Sequence, residues 1–231
     1  MVTNRERPSG PAGPGPLPVA SRRALVLTVV GIGVYIVLDI VAQLLPPHYS
    51  PISQAESDLA VGPYGYVMTI NFVVRGVVAF AFLLGLLGAT RLGRTAQGSA
   101  ALVAVWGAGA FVLAVFPADV GSVATVHGTI HGLTGLIAFA GGAFGTLLFS
   151  RHFTDEPRLR GVASTAWTVG ALAVVMYFVT VVALHTQFLG SVLGLVERIF
   201  IGLVLLWMLV VSIQLLLSAR GPSDRPRVPT H

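Results

Sequence analysis

Recurring runs of about twenty apolar residues constrain this chain more than any other feature, because a helix of roughly that length is what a hydrocarbon core demands. Stretches such as 24–45 and 162–184 reach it. With 55% hydrophobic and 10% charged residues among 231, and a mean hydropathy of +0.84, water is not the main solvent. The spacing predicts an all-α, polytopic bundle of six transmembrane helices, near 22–45, 66–88, 99–116, 127–149, 162–184 and 191–217. Pro46-Pro47, Pro117 and Pro157 punctuate three of the connections. Residues 1–21, rich in proline and glycine, and residues 218–231 read as disordered cytoplasmic tails on either side of a transmembrane domain spanning 22–217. Arg22 and Arg23 precede the first apolar run as in a signal peptide, but that run is too long for one and no small-residue cleavage pattern follows.

All 14 basic residues are arginine. Twelve fall in the tails or in alternate connections: Arg5, Arg7, Arg22 and Arg23 before the first span, Arg91 and Arg94 after the second, Arg151, Arg158 and Arg160 after the fourth, Arg220, Arg225 and Arg227 after the sixth. The opposite connections carry none, so the positive-inside rule predicts that both termini are cytoplasmic, in a plasma-membrane protein. The net charge of +5 forms no basic stripe and gives no reason to expect nucleic acid. The absence of cysteine excludes disulfides, thiolate metal sites and thiol chemistry.

Arg75 and Arg198 lie inside predicted helices, where a lipid-facing charge costs at least about 2.5 kcal/mol, so both are expected to face the bundle interior. Asp39 and Gln43, Asn71 and Arg75, and Glu197 fall in the same outer half of the spans. The arginine-free connections collect His48, Ser53, Glu56, Ser57, Asp58, Asp119 and His185, and His127 and His131 open the fourth helix one turn apart. A structural account pairs Asp39 or Glu197 with Arg75 or Arg198 and leaves Asn71 to bond a neighbouring helix. Glu197 and Arg198, about 100° apart on one helix, are expected to serve different partners.

Two imidazoles at i and i+4 can share one metal ion. His185, or His48, Asp58 or Asp119, would be a third ligand to a divalent ion such as zinc. That pattern points to a polar site on the extracytoplasmic side and to a metal-assisted hydrolase or transferase acting on a lipid or other amphiphile at the outer leaflet. Asp58 or Asp119 would orient water, Ser57 would donate a hydrogen bond, and Arg75, with Asn71 and Arg198 nearby, would hold an anionic group. The segment His127-Gly-Thr-Ile-His131 lacks the glutamate of a zincin. Two other classes fit the same residues: a transporter or receptor binding a small anion or lipid at Arg75 and Arg198, and a non-catalytic partner of another membrane protein.

The run from Ser50-Pro51-Ile52-Ser53-Gln54 through Ser57-Asp58-Leu59-Ala60-Val61-Gly62, then Asn71-Phe72, Arg75-Gly76, Phe116-Pro117-Ala118-Asp119 and His127-Gly128-Thr129-Ile130-His131-Gly132, resembles the multi-spanning family called domain of unknown function 998. The likeness covers about residues 25–217. It implies a bacterial or archaeal membrane protein of about six helices and no established reaction. The order of an outer serine-bearing loop, a Phe-Pro helix end and a following histidine is also similar to the six-span Frag1/DRAM/Sfk1 group, linked to lipid remodelling. The alkaline ceramidase and adiponectin receptor superfamily is similar in residue types only, and transfers no residue.

Overall fold

The computed structural model describes residues 15–120 and 123–219. The described residues are all-α, with no strand among them. They form six helices long and apolar enough to cross a membrane: α1 (Val19–Leu44), α2 (Gly65–Ala89), α3 (Ala96–Val115), α4 (Val126–Ser150), α5 (Ala163–His185) and α6 (Leu193–Ser218). A single helical turn at Gln187–Gly190 links the last two. The expected helices are all present, with ends that shift by up to three residues. Helix α1 begins at Val19, inside the segment expected to be tail, because the Arg22 N–H bonds the Pro18 carbonyl at 3.0 Å. A proline costs a helix nothing at its N-terminal boundary, where its missing N–H is not required. Residues 1–14 and 220–231 of the expected tails lie outside the described residues.

Each helix end has a local cause. Helix α1 stops before Pro46-Pro47, and α3 stops before Pro117 with Phe116 extended. Helix α4 starts at Thr125, whose side chain accepts the Gly128 N–H at 3.0 Å, a normal N-cap. The helices pack in chain order, α1 on α2 through to α5 on α6, and α1 against α6 closes the ring. Helix α6 also touches α2 and α4. Helices α2 and α6 are the most buried of the six, α1 and α5 the least.

Lipid offers no hydrophobic drive between helices, so close approach and packing must hold them. A Cβ at Gly141 of α4 would stand 2.6 Å from the Leu102 carbonyl of α3, and one at Gly170 of α5 2.8 Å from the Leu147 backbone of α4. Aromatic rings fill the half of the bundle toward the arginine-rich connections. Phe82, Phe149 and Phe153 surround Trp207, with centroids 5.0, 6.1 and 5.8 Å away, and the Trp207 indole donates to Ser150 at 2.8 Å. At that end the Glu156 carboxylate accepts the N–H groups of Arg91 and Arg158 at 3.1 and 3.3 Å, tying two connections together. The other half holds a smaller apolar cluster around Met68 and Phe72, and the polar residues lie beside it.

Candidate functional site

The α1–α2 connection folds back onto the first turns of α6. The Leu195 N–H, one of the donors left unpaired at a helix start, bonds the Ile52 carbonyl at 3.0 Å. Gly194 lets the two backbones touch, since a Cβ there would collide with the carbonyls of Gln54 and Pro51. A short 3₁₀ helix, Glu56–Ala60, then places the Glu56 N–H 2.8 Å from Glu197 Oε2. This docking carries a connection that its sequence marked as water-facing into the protein interior.

Arg198 organises one side of the dock. Its guanidinium donates to Tyr49 Oη at 2.6 Å and to the carbonyls of Pro51 and Gly194 at 3.1 and 3.2 Å, and it lies 3.8 Å from Asp39 Oδ1. Gln43 donates to the other Asp39 oxygen at 2.6 Å. Tyr49 passes the chain on to the Ala55 carbonyl at 2.9 Å, and burial pushes its phenol up to about 12 despite the Arg198 charge. Next to it the Glu56 side chain is 1% exposed. Tyr35 of α1 donates to Glu56 Oε1, while Oε2 has no partner among the described residues. Burial lifts the Glu56 carboxyl above its usual range, Asp39 adds to the lift, and Arg75 opposes it.

Arg75 lies on the other side. It is 1% exposed and, among the described residues, forms no ion pair or hydrogen bond; Nε and Nη2 are buried without partners. Its guanidinium sits over the rings of Trp106 at 4.6 Å and Phe72 at 5.2 Å. Such contacts contribute about 0.5–2 kcal/mol each but satisfy no N–H donor. Arg75 lines a cavity of about 110 Å³ with Ser57, His131, Thr180 and Glu197. The Phe139 and Tyr177 side chains of its wall pack on Phe200, at 4.7 and 6.4 Å, and close it toward the aromatic half. Gly132 and Gly135 of α4 leave open space where a Cβ would stand, and exposed Leu136 and Leu184 line the α4–α5 side. That gap faces the bundle exterior.

The expected site residues therefore divide among several places. Ser57, Arg75 and His131 share the cavity. Arg198 belongs to a neighbouring face of α6, and its pairing with Asp39 is the one expected ion pair that forms among the described residues. Glu197 and Arg198 serve different partners, as their spacing predicts. Asn71 is wholly buried, but it reaches Met68 Sδ of its own helix at 3.9 Å rather than a neighbouring helix, and its oxygen has no partner among the described residues.

Asp58 is half-buried on the short helix, where desolvation raises its carboxyl. Asp119 is exposed and accepts both the Thr125 N–H, at 2.8 Å, and the Thr125 hydroxyl, at 2.7 Å; those bonds hold its carboxyl below the usual range. It staples the α3–α4 connection. His131 bonds the Phe116 carbonyl through Nδ1 at 2.7 Å, His127 packs edge-on against the Phe116 ring, and exposed His185 bonds Val181 of its own helix at 2.8 Å. Among the described residues no three His, Asp or Glu side chains are grouped to hold a metal ion, so His127, His131 and His185 are not gathered into one centre.

Tyr35 escaped the sequence reading because a tyrosine in an apolar span looks like any interior aromatic. Glu56 looked like one more loop carboxylate. The i,i+4 pair Tyr35 and Asp39, pointing down one face of α1 toward the same connection, was the available signal.

The model of a family described as "Protein of unknown function (DUF998)" matches residues 29–214. No curated protein and no solved structure matches the chain.

Proposed function

From the premise that the chain belongs to the DUF998 family, whose description assigns no reaction, we propose that this multi-pass membrane protein binds the anionic head of an amphiphile, a carboxylate or phosphate, against Arg75. The observation that carries this is the guanidinium itself: 1% exposed, without a hydrogen bond among the described residues, and lining a cavity. A buried cation with open donors is costly unless a partner completes it. The cavity of about 110 Å³ admits a head group but no acyl chain. The α4–α5 gap at Gly132 and Gly135 gives a chain its way out to lipid.

Within this reading Arg75 supplies charge and paired N–H donors, and Ser57 supplies a hydroxyl; the Thr180 hydroxyl is already donated to the Met176 carbonyl at 2.8 Å. With its Nδ1–H on the Phe116 carbonyl, neutral His131 offers an acceptor at Nε2, which suits a protonated head-group oxygen. The aromatic block of Phe139, Tyr177, Phe200 and Trp106 supports a binding protein or receptor over a carrier, because it blocks the direct route to the far end. A metal-assisted hydrolase draws support only from Ser57 and His131 sharing the cavity. The arginines of the α2–α3 and α4–α5 connections support a plasma-membrane protein with both termini in the cytoplasm.

The test is calorimetric titration of the purified protein, in a neutral sugar detergent, with dodecyl phosphate and dodecanoate. Saturable binding that falls about tenfold or more in Arg75→Gln is expected, since one charge-assisted hydrogen bond contributes about 1.5–3 kcal/mol. Equal affinity in wild type and Arg75→Gln sinks the proposal.

A further inference from the structure

A second opening lies on the other side of α6, in the seam where α1 closes the ring. It has a volume of about 260 Å³. Ile32, Ile36, Ile201, Leu205, Leu206 and Leu209 form its apolar length. Ile32, Ile201 and Leu205 are buried in its floor, whereas Ile36 and Leu206, 49% and 44% exposed, stand at its rim. Gly202 widens it, since a Cβ there would meet nothing within 4 Å. At one end the apolar walls give way to Tyr35, Asp39, Glu56 and Arg198.

That polar end is incomplete in a specific way. Among the described residues, Asp39 Oδ1 and Glu56 Oε2 are buried acceptors with no hydrogen bond, Oδ1 having only the Arg198 guanidinium at 3.8 Å, and Arg198 Nε is a buried donor with no acceptor. Glu56 is 1% exposed, so bulk water does not complete it. An occupant must bring donors for two carboxyl oxygens and an acceptor for one guanidinium N–H. A phosphate or carboxylate head has no donor and meets two acids. An ammonium has no acceptor for Arg198. A hydroxyl does both, and it satisfies Glu56 whether that carboxyl is ionised or protonated.

We propose that the α1–α6 groove binds a lipid with an uncharged, hydroxyl-bearing head of the glycerol type, its hydroxyls between Asp39, Glu56 and Arg198 and its chain along Ile201 to Leu209. The groove is distinct from the Arg75 cavity. Glu197 faces the cavity and Arg198 the groove, and Glu56 divides them, its N–H on Glu197 and its carboxyl in the groove.

Photocrosslinking of the full chain in nanodiscs tests this, using a monoacylglycerol with a diazirine in its chain and a fatty acid bearing the same chain. The glycerol-headed probe is expected to label the 201–209 segment saturably and about tenfold more than the fatty acid, the difference that one net hydrogen bond makes. Gly202→Leu fills the groove, and Leu206→Trp narrows it from a lipid-facing position should the first variant fold poorly. Each is expected to cut labelling several-fold with the unfolding temperature held. Arg75→Gln is expected to leave labelling unchanged, which separates this site from the anion cavity. Equal labelling by both heads, labelling indifferent to both groove variants, or labelling lost in Arg75→Gln each overturns it.

Discussion

Glu197 and Arg198 are consecutive in the chain yet serve different faces of α6: the first accepts the Glu56 N–H at 2.8 Å, and the second donates to Tyr49 at 2.6 Å and pairs with Asp39 at 3.8 Å. About 100° of helical rotation separates them. The α1–α2 connection is held by both, and so α6 fixes the polar end of the bundle.

Removing the Glu197 carboxylate strands a buried backbone N–H, which costs about 1–3 kcal/mol. Glu197→Ala is therefore expected to lower unfolding stability in detergent by that amount and to speed amide exchange at Glu56. Glu197→Gln keeps an acceptor and is expected to lose less than half as much. An alanine variant with unchanged Glu56 exchange contradicts the hydrogen bond.

Arg75 behaves oppositely. Its ring contacts are offset by unsatisfied N–H groups, and a buried charge replaced by an apolar side chain of similar size is often neutral. Arg75→Met is expected to change unfolding stability by no more than about 1 kcal/mol. A loss of about 3–5 kcal/mol, the signature of breaking a buried pair, would reveal a partner for the guanidinium.

Acidity should favour the fold. Burial raises the Glu56 carboxyl above its ordinary 4.5 and the half-buried Asp58 carboxyl above its ordinary 3.8. The folded state then holds protons to a higher pH than the unfolded chain, and stability falls as pH rises through the folded values. Asp119 has the opposite sign: its lowered carboxyl contributes stability above 3.8 that disappears as pH falls through the folded value. The unfolding temperature is expected to decline as pH rises above the ordinary 4.5 and through the raised folded value of Glu56. Glu56→Gln should flatten that decline and raise stability at neutral pH. A wild-type curve level across this range rules out the buried-carboxyl origin.

The chain has no cysteine, so single introduced thiols report sidedness without background. Ser53→Cys, on an exposed stretch of the α1–α2 connection, is expected to react with a membrane-impermeant maleimide in intact cells. Gly93→Cys, on the connection bearing Arg91 and Arg94, is expected to react only after lysis. The reverse pattern inverts the proposed orientation.

Hydropathy made the six helices legible, because every backbone N–H in a hydrocarbon core must bond within its own segment. The polar half was legible as a list of residues but not as a site. Sequence spacing placed His127 beside His131 on one helix face, yet it could not show that the Phe116 carbonyl accepts the His131 Nδ1–H or that Thr125 donates to Asp119. Nor could it show Glu56 entering the interior, since that depends on the backbone contact which Gly194 permits across about 140 residues of chain. Helix periodicity carries local geometry. Long-range docking of an irregular connection leaves no periodic trace.

The tight cluster of Phe82, Phe149, Phe153 and Trp207 has an electrical consequence. A voltage across a bilayer drops over its low-dielectric portion, and each elementary charge moved through the full drop exchanges about 2.3 kcal/mol per 100 mV. Arg75 stands ten residues, about 15 Å, inside α2, with that dry portion on one side and the polar connections on the other. An anion reaching the guanidinium from the connections would cross the part of the field in between, and its occupancy would respond to polarisation of the membrane.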